Sequence, residues 1–113
     1  MSDALDPEDA KLVTLARGAR GRAGASAGAA LRDETGRTYS GADVEIPSLQ
    51  LSALALAVAQ AVAAGARGVE AAVVVGTAPA AGDLDILRDL GGTDVPVLEC
   101  AADGAVLSRT VTG

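Results

Sequence analysis

Histidine, phenylalanine and tryptophan are absent from this 113-residue chain, and cysteine, methionine and tyrosine each occur once. Without histidine, the commonest metal ligand and the commonest general base are both missing. A single cysteine, Cys100, excludes an intramolecular disulfide and fits a reducing cytoplasm, the expected location. Without Phe or Trp, a core has to be filled by Ala, Val and Leu, each burying less apolar area than an aromatic ring. The isolated chain is therefore expected to be marginally stable and to gain burial as a homo-oligomer. Basic residues are also few, and the net charge is −6. Such a chain repels phosphate backbones, which argues against nucleic acid as a partner. Arg17, Arg20 and Arg22 are the nearest approach to a basic patch and read as the solvated side of a helix. The longest apolar run, Leu51 to Ala64, is interrupted by Ser52 and Gln60 and is short for a bilayer span, so no membrane partner is expected. Residues 1–8 are acidic and have no apolar signal core.

Half of the residues are apolar, enough for one domain spanning residues 1–113, with 1–6 expected to be flexible. Asp6-Pro7-Glu8-Asp9 reads as a helix start, with an N-cap, a proline at the first helical position and acids at the positive end of the dipole. That helix is expected to reach about Ala19, with Gly18 and Gly21 beginning to break it and a Gly/Ala/Ser loop running to Gly28. Gly28 to Arg32 and Arg37 to Ile46 read as a hairpin around Asp33-Glu34-Thr35-Gly36. Pro47 and Ser48 are read as opening a helix over Leu49–Ala64 that is apolar nearly all round and so is covered on more than one side. Val69–Val75 is a central strand, Asp83–Leu90 a short helix, and Val95–Ala101 and Ala105–Val111 two further strands. This order implies an α/β three-layer sandwich: a mixed five-stranded sheet with helices on both faces.

The chain resembles the cytidine deaminase family at several places along this order. Gly28-Ala29-Ala30-Leu31, then Gly36-Arg37 and Tyr39-Ser40-Gly41, is similar to the family's hairpin. Asp43-Val44-Glu45 stands where the family has Asn-Val-Glu. Pro79 followed by Ile86-Leu87-Arg88 resembles the frame of its Pro-Cys-Gly-Ala-Cys-Arg helix start, and Ala102-Asp103-Gly104 with Ser108-Arg109-Thr110 its carboxyl end. The resemblance runs over roughly residues 10–113 and implies a cytidine deaminase-like fold.

Zinc deaminases hold the metal with a His or Cys at one helix start and two Cys of a P-C-x-x-C at the next, with a proton-shuttling glutamate two residues after the first ligand. The resemblance places Leu54 at the first ligand, Leu56 at the glutamate, and Ala80 and Asp83 at the two cysteines. No ligand or acid/base of the family type remains, and no C-x-E, H-x-E or C-x-x-C occurs anywhere. Zinc is therefore expected to be absent, with Leu54 and Leu56 filling its place. Gly24 to Ala27 stand where the family usually has an aromatic and an Asn against the base and sugar. Asp43 and Glu45 stand where it has two residues on the ribose. They are two apart on a strand, hence on one side, and are candidates for accepting hydrogen bonds from a sugar.

Other candidates are weaker. Cys100 has no histidine to activate it and reads as a buried structural thiol. The glycines at 18, 21, 24 and 28 lack the Lys-Ser/Thr of a phosphate loop. Asp83, Asp85 and Asp89 read as a solvated helix side, with Asp83 near a cap position. The leading expectation is a catalytically inactive relative acting as an oligomeric scaffold or interaction module, a dimer or tetramer through the Leu49–Ala64 helix. Tetramers of this kind are what the resemblance implies. The alternatives are a module binding a nucleoside-type ligand through Asp43 and Glu45, and residual deaminase activity, which conflicts with the missing metal site.

Overall fold

Alternation along the central strand sets the architecture. The computed structural model describes residues 5–113. In β5 (Val69–Val75), Ala71, Val73 and Val75 turn to one side of the sheet and Ala72 and Val74 to the other, as a period of two requires. Helix α1 (Pro7–Ala23) covers the first side, packing Leu12, Val13 and Ala16 on Ala30, Leu98 and Cys100. Helices α2 (Ala53–Ala63) and α3 (Ala81–Gly91) cover the second, packing Leu54, Ala57, Val58, Ala61 and Leu87 on Ala29, Leu31 and Val97. The result is the expected three-layer sandwich.

The sheet also contains β1 (Gly28–Asp33), β2 (Thr38–Ala42), β6 (Pro96–Cys100) and β7 (Val106–Val111), in the order β2-β1-β5-β6-β7. Only β5 and β6 are parallel, joined by the α3 crossover that such a pair needs. The other neighbours are antiparallel. Strand β5 lies where the sequence puts it.

Three boundaries differ from expectation. Helix α1 does not break at Gly18 or Gly21 but runs to Ala23, stopping at Gly24 with φ 62°. Gly24 satisfies the last turn by donating to the Gly21 carbonyl while Ala25 reaches Arg20 O, a left-handed ending that glycine adopts without strain. The returning strand is interrupted at Asp43, whose N–H goes to Ala27 O, and resumes as β3 (Val44–Ile46). The helix expected over Leu49–Ala64 is a strand at its start. Leu49–Leu51 forms β4 and pairs antiparallel with β3 in a separate two-stranded sheet, with Pro47-Ser48 at its turn. Leu49-Gln50-Leu51 alternates with period two, and Ser52, extended at ψ 160°, is the true N-cap of α2. The flexibility expected of residues 1–6 falls mostly on residues 1–4, which lie outside the described residues, whereas Asp6 caps α1 by accepting from Glu8 N–H at 2.8 Å.

The first hairpin is closed by a buried carboxylate. Asp33 Oδ1 accepts from the N–H and hydroxyl of Thr35 and from Arg37 N–H, and Oδ2 accepts from the Tyr39 hydroxyl. Burial by itself would raise its pKa, but these hydrogen bonds outweigh burial and hold it below the ordinary carboxylate range. A depressed folded-state pKa contributes stability above the unfolded value, near 4, that is lost as pH falls through the folded value. Asp33→Ala is therefore expected to lower stability at pH 7 by about 2 kcal/mol. In urea unfolding followed by circular dichroism, the gap to wild type should narrow below about pH 4.

Candidate functional site

The orphan amides at the start of α2 gather the polar groups of this site. Asp43 Oδ1 accepts from Ala53 N–H at 2.9 Å, and Ser52 Oγ accepts from Ala55 N–H at 3.1 Å. Two side chains from different segments thus cap one helix. The Ser52 hydroxyl in turn donates to Asp83 Oδ1 at 2.6 Å, within the range of a charge-assisted O–H···O⁻ bond. Asp83 lies in the first turn of α3, and its Oδ2 is 3.4 Å from the N–H of the N-cap residue Ala80. The beginnings of α2 and α3 therefore meet through Ser52 and Asp83.

Leu54 and Leu56, where the resemblance puts the first ligand and the glutamate, lie in different surroundings. Leu54 is 1% exposed and belongs to the core between α2, α3 and the sheet. Leu56 is half-buried over β2, where a Cβ on Gly41 would come within 3.0 Å of its Cγ. The side chain of α2's first turn that reaches Asp83 is that of Ser52.

The groups here do not fit zinc. Ser52 and Asp83 supply a hydroxyl and a carboxylate already bonded to one another, and Ala80 supplies a methyl. Closed zinc sites are built from thiolate and imidazole with some carboxylate. The chain has no imidazole, and its one thiol, Cys100, is buried under α1 on the opposite side of the sheet. Burial raises the Cys100 pKa above the ordinary thiol value, which keeps it protonated and unreactive.

Asp43 and Glu45 border one surface, although Asp43 lies between β2 and β3 and not within a strand as expected. Both line an open concavity of about 390 Å³ with Val44, Gln50, Leu51 and Ser52. Asp43 is half-buried and engaged with α2, whereas Glu45 is exposed. The other candidates do not converge. Asp85 and Asp89 are exposed on α3, and Asp85 stands 4.0 Å from Arg88. Arg17 and Arg20 donate to the carbonyls of Ala102 and Ser26, so they tie α1 to loops instead of forming an anion site. The residue the sequence reading missed is Ser52. Its signal was present: a serine directly before an apolar helical run is an N-cap pattern.

A family model described as cytidine deaminase-like matches residues 5–104. Among solved structures, the cytidine deaminase from Burkholderia pseudomallei is 28% identical over 91% of this chain and 91% of its own, with a TM-score of 0.81. That from Mycobacterium tuberculosis is 25% identical over 81% of this chain and 85% of its own, with a TM-score of 0.72. That from Mycobacterium leprae, 19% identical over 95% of both chains with a TM-score of 0.75, is a likeness of fold. No curated protein matches the chain.

The separate surroundings of the two leucines make a direct comparison. Leu54→Ala leaves a cavity in the core and is expected to cost about 3 kcal/mol, whereas Leu56→Ala is expected to cost about 1 kcal/mol. Urea midpoints of the two variants check this, and a larger loss for Leu56→Ala would contradict the described packing.

Proposed function

As a chain that belongs to the cytidine deaminase-like family, this protein is, we propose, a member without deaminase chemistry that acts as an oligomeric scaffold. The observation that carries the reading is the hydrogen bond between Ser52 and Asp83 at the two helix starts. Hydrolytic deamination needs an activated water and a group that moves protons between it and the base. The residues at this site offer a hydroxyl, a carboxylate engaged with it and a methyl, while the position that the resemblance gives the glutamate holds Leu56. A leucine transfers no proton. The related solved structures are cytidine deaminases, so cytidine is the compound on which silence has to be tested.

Assembly is supported by the outer side of α2 and α3. Val62 is 55% exposed and Ile86 37% exposed, and they line an apolar concavity of about 410 Å³ with Val58, Asp89 and Leu90. A core of small side chains leaves the monomer little margin, and covering this surface against another copy adds burial. A second reading, a module that binds a nucleoside-type ligand without converting it, is favoured by the shared wall of Asp43 and Glu45.

Calorimetric titration of the zinc-supplemented protein with cytidine separates these readings. The scaffold predicts no heat beyond dilution. A saturating heat that Glu45→Ala abolishes would establish the binding module instead, and sustained thermal power after each injection would mean turnover and end the proposal. Assembly has its own check in light scattering. Wild type is expected to have the mass of a dimer or larger, and Val62→Lys to reduce it to the monomer with unchanged circular dichroism. A monomeric wild type at micromolar concentration would defeat the scaffold.

A further inference from the structure

We infer that the Ser52–Asp83 hydrogen bond is a metal-free clasp that ties the starts of α2 and α3 together, in the place where the family's architecture calls for a metal. Helices α2 and α3 lie side by side on one face of the sheet and share Leu54, Val58, Ala61 and Leu87 as their core. Along their length the contact is apolar. Among the described residues, the one side-chain hydrogen bond between these two segments is the Ser52 hydroxyl donating to Asp83 Oδ1, across 31 residues of chain. At 2.6 Å it is as short as charge-assisted bonds become.

Its surroundings suit a permanent structural bond. Ser52 Oγ uses its proton on Asp83 and accepts from Ala55 N–H, so donor and acceptor are both engaged. The Asp83 carboxylate stands at the positive end of two helices at once: it lies in the first turn of α3 and is hydrogen-bonded to the N-cap residue of α2. A metal at the same junction would draw two helix starts together through ligands contributed by each. The hydrogen bond performs that union with one hydroxyl and one carboxylate, and the methyl of Ala80 asks for nothing.

The inference rests on reading this site as free of deaminase chemistry, but the two fail separately. Turnover of cytidine would remove that reading and leave the bond's contribution measurable. Independent effects in the cycle below would remove the clasp and leave silence toward cytidine intact.

The test is a double-mutant cycle on the full chain, with Ser52→Ala, Asp83→Ala and their combination compared by urea unfolding with and without EDTA. Each single change is expected to raise the unfolding equilibrium constant about tenfold or more. The combination should fall short of the product of the two by about tenfold, because the cap each residue also makes cancels around the cycle. EDTA and added zinc should leave the wild-type midpoint unmoved. Effects that multiply independently, or a wild-type midpoint lowered by EDTA, overturn the clasp.

Ser52→Thr and Ser52→Val read the same bond where the alanine variants fail to fold, since the two side chains share a shape and differ in the hydroxyl. Ser52→Thr is expected to keep the urea midpoint near wild type and Ser52→Val to lower it, with the difference shrinking in an Asp83→Asn background. Equal midpoints for the two, or a difference that Asp83→Asn leaves unchanged, overturn the clasp.

Discussion

Close approach of backbone to backbone is the constraint on which this molecule depends. With no aromatic ring in the core between α1 and the sheet, α1 settles on β1 until glycine is required: a Cβ on Gly28 would lie 2.1 Å from the Ala16 carbonyl oxygen. Gly91, at the end of α3, is confined by the side chains of Val69 and Val95, at 2.9 and 3.0 Å. Between α1 and β1 the layer spacing is thus set by main chain, and on the α3 side by valines, leaving little room for an added methylene at either glycine. The same closeness sets helices α2 and α3 at defined positions on the other side of the sheet, which is what allows a short side chain such as Ser52 to span the distance to Asp83.

The layers and the sheet were legible in the sequence because they follow from period and composition. Val69–Val75 stands out as a β-branched run, and Asp33 to Gly36 as turn chemistry. What failed to show was local competition. Leu49-Gln50-Leu51 is too short to announce a strand, and beside a long apolar helix it reads as that helix's first turn. Its partner Val44–Ile46 makes the strand, through pairing that no single segment carries. Gly18 and Gly21 looked like breakers, yet a seventeen-residue helix tolerates them when tertiary packing of Leu12, Val13 and Ala16 supplies its stability. At the site, a helix expected to start at Leu49 starts at Ala53, which makes Ser52 an N-cap with its hydroxyl free to meet Asp83. Asp43 and Glu45 border one concavity, but the strand alternation expected to align them is broken at Asp43.

The chemistry of the site follows from where polar groups are satisfied. Every group at the α2 start that the structure brings together answers a local need: Asp43 for Ala53 N–H, Ser52 for Ala55 N–H, Asp83 for the Ser52 hydroxyl. Catalytic sites hold groups back from such pairing so that a substrate can complete them. A junction that completes itself is suited to holding helices in position. The outward surfaces of those helices, with Val62 and Ile86 exposed, then carry whatever the fold offers to another chain.

The order of strands has a consequence for synthesis. The hairpin of β1 and β2 emerges from the ribosome first, but β1 has β5 as its other neighbour, roughly forty residues later in the chain. For a few seconds of translation, the inner edge of β1 stands open, with Gly28 to Leu31 unpaired on that side. Helix α1, already made, packs on a face of the hairpin and leaves this edge to β5. The burial of that early helix against Ala30 thus gives the nascent hairpin one covered face before its sheet exists.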